Sequence, residues 1–280
     1  MKFLKEALPF VIVLLAFAVS AQQKAFKVEV IGEGKPILFF PGFTCTGDVY
    51  KDIIKDFSET NECHIFTFAG FGDVAPIERP WFPKVKEGVK TYITENSLQD
   101  SFVLGHSLGG TLALWLASEE NSWFEKLIVV DGLPAAGALM VPNYKSENMV
   151  YDNPFNQRLL DMDSISFKQM ATQMAGGMSL NKERQVQISD WIVQADRETY
   201  VYGYTDLLKL DLREDISKIT TSVFILAATN PYGSEMARAT YTEQYMNLEN
   251  YSIDFAEGSA HFIMYDKPEW FMEKVMSFVR

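Results

Sequence analysis

Apolar and polar positions follow two rhythms along the chain. Ile37-Leu38-Phe39-Phe40, Phe102-Val103-Leu104, Leu127-Ile128-Val129-Val130 and Val223-Phe224-Ile225-Leu226-Ala227 are unbroken apolar runs of strand length. Such runs suit strands covered on both faces, as in a parallel sheet packed between helices. Phe26–Ile31 and residues 63–68 and 251–255 complete the predicted strands, with His64 near the start of its strand. Helical spacing predicts helices over 48–57, 80–96 and 109–119, and a terminal one beginning near Pro268. Strands alternating with helices give an α/β class: a predominantly parallel twisted sheet with helices on both faces. Residues 133–212 break this alternation. They are too long for a simple connection and have helical character, with candidate helices over 166–174, 182–195 and 197–208 and a break at Ala175-Gly176-Gly177.

The most informative boundary is the run Ser101 to His106, which drives directly into Ser107-Leu108-Gly109-Gly110 and an Ala/Leu-rich helix. Gly105-His106-Ser107-Leu108-Gly109 is a Gly-x-Ser-x-Gly turn between strand and helix. A serine in so sharp a turn is strained, and side chains two positions either side would collide, which explains Gly105 and Gly109. Ser107 is thereby a candidate nucleophile. Leu108 opens the helix, so its N–H lacks an intrahelical acceptor and can face a developing oxyanion.

Composition narrows the setting. Lys2 and Lys5, an apolar stretch from Ala7 to Ala18 and the small residues Val19-Ser20-Ala21 read as an export signal over residues 1–21. The rival reading is an uncleaved N-terminal anchor. The source is read as bacterial, which makes the periplasm or the outside the expected destination, and cleavage would leave no stable membrane span. About 260 residues then remain, enough for one domain divided as 22–132 and 213–280 around the insertion 133–212. The formal charge of −12 is not relieved by any basic run, which argues against nucleic acid and anionic membranes as partners. Cys45 is expected beyond the end of one strand and Cys63 before the start of the next. A disulfide cannot span that distance, so both are expected as free thiols. Cys45 has no turn chemistry or adjacent base to mark it as a nucleophile.

Beyond the serine turn, Pro41-Gly42-Phe43-Thr44 follows an apolar strand, Gly70-Phe71-Gly72 follows another, and Glu257-Gly258-Ser259-Ala260-His261-Phe262 follows the last. Together these motifs resemble the α/β-hydrolase superfamily from about Phe26 onwards. The resemblance implies the α/β-hydrolase fold with an inserted helical cap. It further implies His261 as catalytic histidine and Phe43 as the second oxyanion N–H beside Leu108. Pro41 departs from the family's frequent histidine. His64 reads as structural, and His106 as a residue packed beneath the turn. The acid is where the pattern departs. Most relatives place it after the strand that here ends at Ala227, yet Ala228 to Ser234 contain no carboxylate and Glu235 is the first. Some lipases and haloalkane dehalogenases carry it after the strand preceding the insertion, where this chain has Asp131. Asp131, Glu235 as the alternative acid, and no acid at all remain open.

The resemblance implies a serine hydrolase working through an acyl-enzyme, with no metal or organic cofactor, on a small-molecule ester or related acyl substrate. The same groups suit amides, thioesters, lactones or carbon–carbon bonds of diketones. A non-catalytic ligand-binding member of the fold is the reading from another class. Met140, Met149, Met162, Met170, Met174 and Met178 put six of the twelve methionines in the insertion. Adaptable side chains facing a cleft would favour an apolar substrate.

Overall fold

The computed structural model describes residues 24–120 and 123–279; the export signal over residues 1–21 lies outside them. Seven strands form one sheet: β1 (Phe26–Ile31), β2 (Lys35–Phe40), β3 (Asn61–Phe68), β4 (Ser101–His106), β5 (Phe124–Val130), β6 (Ser222–Ala228) and β7 (Tyr251–Ala256). Their spatial order is β1-β3-β2-β4-β5-β6-β7. β1 runs antiparallel to β3 on the edge, and every other pairing is parallel. Burial follows the apolar pattern. β4 is buried throughout and the last four residues of β2 are buried, whereas β1 is partly exposed along its length.

Helices α1 (Lys51–Ser58), α2 (Trp81–Glu95) and α3 (Leu108–Glu119) connect β2 through β5. From β2 the chain crosses to β3 on one side and then to β4 on the other. The strand order therefore reverses between β2 and β4, opening a crevice at their carboxyl ends where ligands of open α/β sheets bind. Phe43 and Ser107 follow these two strands.

Between β5 and β6 come α4 (Ala136–Met140), α5 (Pro154–Leu160), α6 (Ser164–Met178), α7 (Lys182–Gln194), a π-helical turn at Thr199–Gly203 and α8 (Tyr204–Lys209). Asn153, Asp163 and Asn181 start α5, α6 and α7 by accepting bonds from first-turn N–H groups. The expected break at Ala175-Gly176-Gly177 is absent, because α6 continues to Met178. Ala171 and Ala175 are buried on its inner face while Gly176 and Gly177 are exposed. Two glycines there cost about 1 kcal/mol each, which packing offsets. Residues expected as a single helix from 197 to 208 instead pass through the π turn, where Gly203 lies so close to Trp81 that a Cβ would come within 3.0 Å of its ring.

Asp206 fastens the insertion to the sheet domain. Its Oδ2 accepts the first two N–H groups of α2, Trp81 at 2.7 Å and Phe82 at 3.1 Å, and its Oδ1 accepts Tyr151 O–H at 2.5 Å. A carboxylate here also complements the positive end of the α2 dipole. After β6 come α9 (Ser234–Gln244), α10 (Ile263–Asp266) and α11 (Pro268–Val279). His64 does not start its strand. β3 begins at Asn61, whose amide donates to Lys35 O, and His64 lies within it, buried and bonded to Tyr92 and Glu62. Both cysteines are free and buried; Cys63 is in register with Ile37, near the opposite end of β2 from Cys45.

Candidate active site

Ser107 connects β4 to α3 with φ 53° and ψ −121°, outside the comfortable region for a side-chain-bearing residue. Surrounding backbone enforces this. Ser107 N–H donates to Val130 O at 2.8 Å, and its carbonyl accepts Gly110 N–H at 2.9 Å and Thr111 N–H at 3.1 Å. A Cβ on Gly105 would lie 2.3 Å from Gly109 O, and one on Gly109 would lie 2.0 Å from Phe40 O, so neither position admits a side chain. Gly42 packs against the same turn, its hypothetical Cβ 3.3 Å from Ser107 Cβ. This close approach brings the β2 loop, and Phe43 with it, beside the serine. Among the described residues, neither the Phe43 nor the Leu108 N–H donates a hydrogen bond.

His261 follows β7. Its Nδ1 lies 2.6 Å from Asp131 Oδ2, and its side chain remains 29% exposed, open to a substrate. Asp131 directly follows β5 with φ 48°, and its N–H donates to Leu226 O. The other carboxylate oxygen accepts Ala228 N–H at 2.7 Å and Tyr241 O–H at 2.8 Å. Burial pushes the Asp131 pKa upward, but the bond to His261, the attraction between them and these two donors outweigh it and hold the carboxyl below its ordinary range. Ser107, Asp131, His261, Phe43 and Leu108 are thus gathered at the carboxyl end of the sheet. No hydrogen bond links Ser107 Oγ to His261 among the described residues; such bonds commonly tighten only with substrate bound. Glu235 sits exposed in the first turn of α9, and among the described residues none of the bonds above involves it.

His106 is fully buried beneath the turn. Its Nε2 is 3.1 Å from His261 O and its ring is 4.7 Å from the His261 ring, while Nδ1 has no partner. With Nε2–H as donor the ring is neutral, and burial, aided by repulsion from His261, lowers its pKa from 6.5 to about 3. Between those values the unfolded chain binds a proton that the folded chain refuses. The stability contributed by keeping His106 neutral is therefore complete above about pH 6.5 and is lost by up to about 1.4 kcal/mol per pH unit as pH drops towards 3. Urea unfolding at pH 7, 6, 5 and 4 should show a shallower pH slope for His106→Gln than for the parent; equal slopes would refute this role.

The Phe43 ring is packed by Phe71 and Trp81 from the sheet domain and by Tyr200 and Tyr204 from the insertion, with centroids 5.1 to 5.9 Å away. The two tyrosine hydroxyls reach Met174 and Met140, giving two of the insertion's methionines a place beside this aromatic wall. Tyr241 carries no linear signal, since Ala237, Tyr241 and Gln244 read simply as the buried face of α9.

Residues 37–274 match the alpha/beta hydrolase family. The chain is 24% identical over 195 residues to the pimeloyl-[acyl-carrier protein] methyl ester esterase of Aliivibrio salmonicida, covering 69% of this chain and 72% of that protein. Its fold is similar to an esterase from Exiguobacterium antarcticum, with TM-score 0.75, 18% identity and 91% and 95% of the two chains covered. The enol-lactonase from Burkholderia xenovorans is likewise similar, with TM-score 0.75, 14% identity and 91% and 96% covered.

Proposed function

The chain belongs to the alpha/beta hydrolase family, and from that premise we propose that it is an exported serine hydrolase of small or medium apolar carboxylic esters. The observation that carries the reading is the 2.6 Å contact between His261 Nδ1 and Asp131, at the same end of the sheet as the strained Ser107 turn. Asp131 holds the imidazole with its proton on Nδ1, leaving Nε2 free to take the Ser107 proton. Ser107 Oγ attacks the ester carbonyl, and the Phe43 and Leu108 N–H groups hold the oxyanion. Collapse of the tetrahedral adduct expels the alcohol, protonated by His261. The same histidine then removes a proton from water, which releases the acid and restores the serine.

The aromatic wall around Phe43 and its methionines supports an apolar acyl or alcohol group; residues 1–21 support export to the periplasm or beyond. The test is hydrolysis of p-nitrophenyl esters from acetate to palmitate by residues 22–280. Turnover is expected with an optimum at short or medium chains. Fluorophosphonate labelling of Ser107 without turnover of any ester would refute the ester class, and absence of both would refute the nucleophile.

A further inference from the structure

Three consecutive residues around His261 have their backbone held from different sides. Ala260 N–H donates to Asp266 Oδ2 at 2.8 Å, His261 O is 3.1 Å from His106 Nε2, and Phe262 N–H donates to Met178 O at 3.0 Å. Met178 is the last residue of α6, so the third hold comes from the insertion. The adjoining residues return to the same carboxylate. Ser179 O–H donates to Asp266 Oδ1 at 2.6 Å and Leu180 N–H to the same oxygen at 2.8 Å. Ser179 is itself fully buried.

Asp266 thus divides its two oxygens between the histidine loop and the end of α6. We propose that Asp266 is a positioning residue through which the seating of the insertion on the sheet domain sets the position of His261. The proposal rests on His261 being the base. Hydrogen bonds to a carboxylate are short and strong, and with Phe262–Met178 they leave little slack between α6 and the histidine. A displacement of α6 as substrate enters beneath the insertion therefore moves the histidine backbone with it. Catalytic groups must be held within about 0.5 Å, and a misplacement of about 1 Å can remove 10²-fold in rate.

Two variants test this. Asp266→Asn presents an amide NH₂ to one set of donors whichever way it turns, breaking the hold on either Ala260 or the end of α6. Ser179→Ala is milder, loosening the insertion while leaving the Ala260 bond intact. For p-nitrophenyl butyrate, kcat should fall about tenfold in Asp266→Asn and about threefold in Ser179→Ala, with KM within about twofold of the parent. The low-field NMR resonance of the His261 Nδ1 proton should broaden or shift in both, a readout that needs no turnover. A lowered unfolding temperature with unchanged kcat and an unchanged resonance would overturn the proposal, leaving Asp266 as an anchor only. If Asp266→Asn fails to fold, Ser179→Ala decides alone. A parent protein that neither turns over esters nor labels at Ser107 would refute the hydrolase reading, whereas the resonance still tests the coupling.

Discussion

Ser107→Ala is expected to reduce ester hydrolysis by about 10⁵–10⁶-fold while leaving the fold and substrate affinity nearly untouched. The loss is large because the histidine, the acid and the oxyanion donors have no nucleophile to act on once the hydroxyl is gone. The fold should survive because the turn is held by backbone rather than by the serine side chain: Val130 O, Gly110 N–H and Thr111 N–H all bond to the Ser107 main chain. Alanine retains the same Cβ at the same strained φ, so stability should shift by less than about 1 kcal/mol. A small rate over water is expected to persist, since the Phe43 and Leu108 amides are unchanged. Initial rates on p-nitrophenyl butyrate, with thermal unfolding alongside, read both halves. Activity within tenfold of the parent would mean that another group attacks. Cys45 is a poor substitute, because burial drives its thiol pKa upward and keeps it protonated.

The sheet was legible because burial on both faces writes itself as unbroken apolar runs, and β2, β4, β5 and β6 carry them. The serine turn was legible for a related reason: Gly105 and Gly109 mark backbone approaches no other residue permits. Where local preference and packing disagree, the sequence misled. Gly176 and Gly177 read as a break, yet buried Ala171 and Ala175 carry α6 past them; β3 starts at Asn61 through a bond to a residue in β2. The polar contacts that shape the site were illegible for a different reason. Tyr241 with Asp131, Asp206 with Trp81, and Asp266 with Ser179 join residues from separate elements. No period or spacing records such pairs. Sequence alone left Asp131, Glu235 and no acid at all as open readings, since choosing among them requires knowing which strand end meets the histidine.

Asp131→Asn should lower kcat by about 10⁴-fold with little change in KM, and Glu235→Gln should leave both within about twofold. The geometry around Asp131 determines how the substituted amide must sit. Oδ1 accepts two donors, Ala228 N–H and Tyr241 O–H, so the carbonyl oxygen of asparagine is drawn to that side and its NH₂ turns towards His261. An NH₂ facing Nδ1 demands a bare nitrogen there, which moves the imidazole proton to Nε2. The histidine then presents an occupied nitrogen to Ser107 and cannot accept its proton. Tyr241→Phe probes the same arrangement more gently. It removes one of the two donors but keeps the carboxylate, and a hydrogen bond to a charged group contributes about 1.5–3 kcal/mol, so kcat should fall by roughly tenfold or somewhat more. In the Asp131→Asn background Tyr241→Phe should cost far less, because the amide is already held the wrong way and its loss frees it to rotate. Measuring kcat for the two single variants and the double variant closes that cycle. Independent, additive losses would mean that Tyr241 does not act through Asp131, and a full loss in Glu235→Gln with Asp131→Asn active would move the acid to α9.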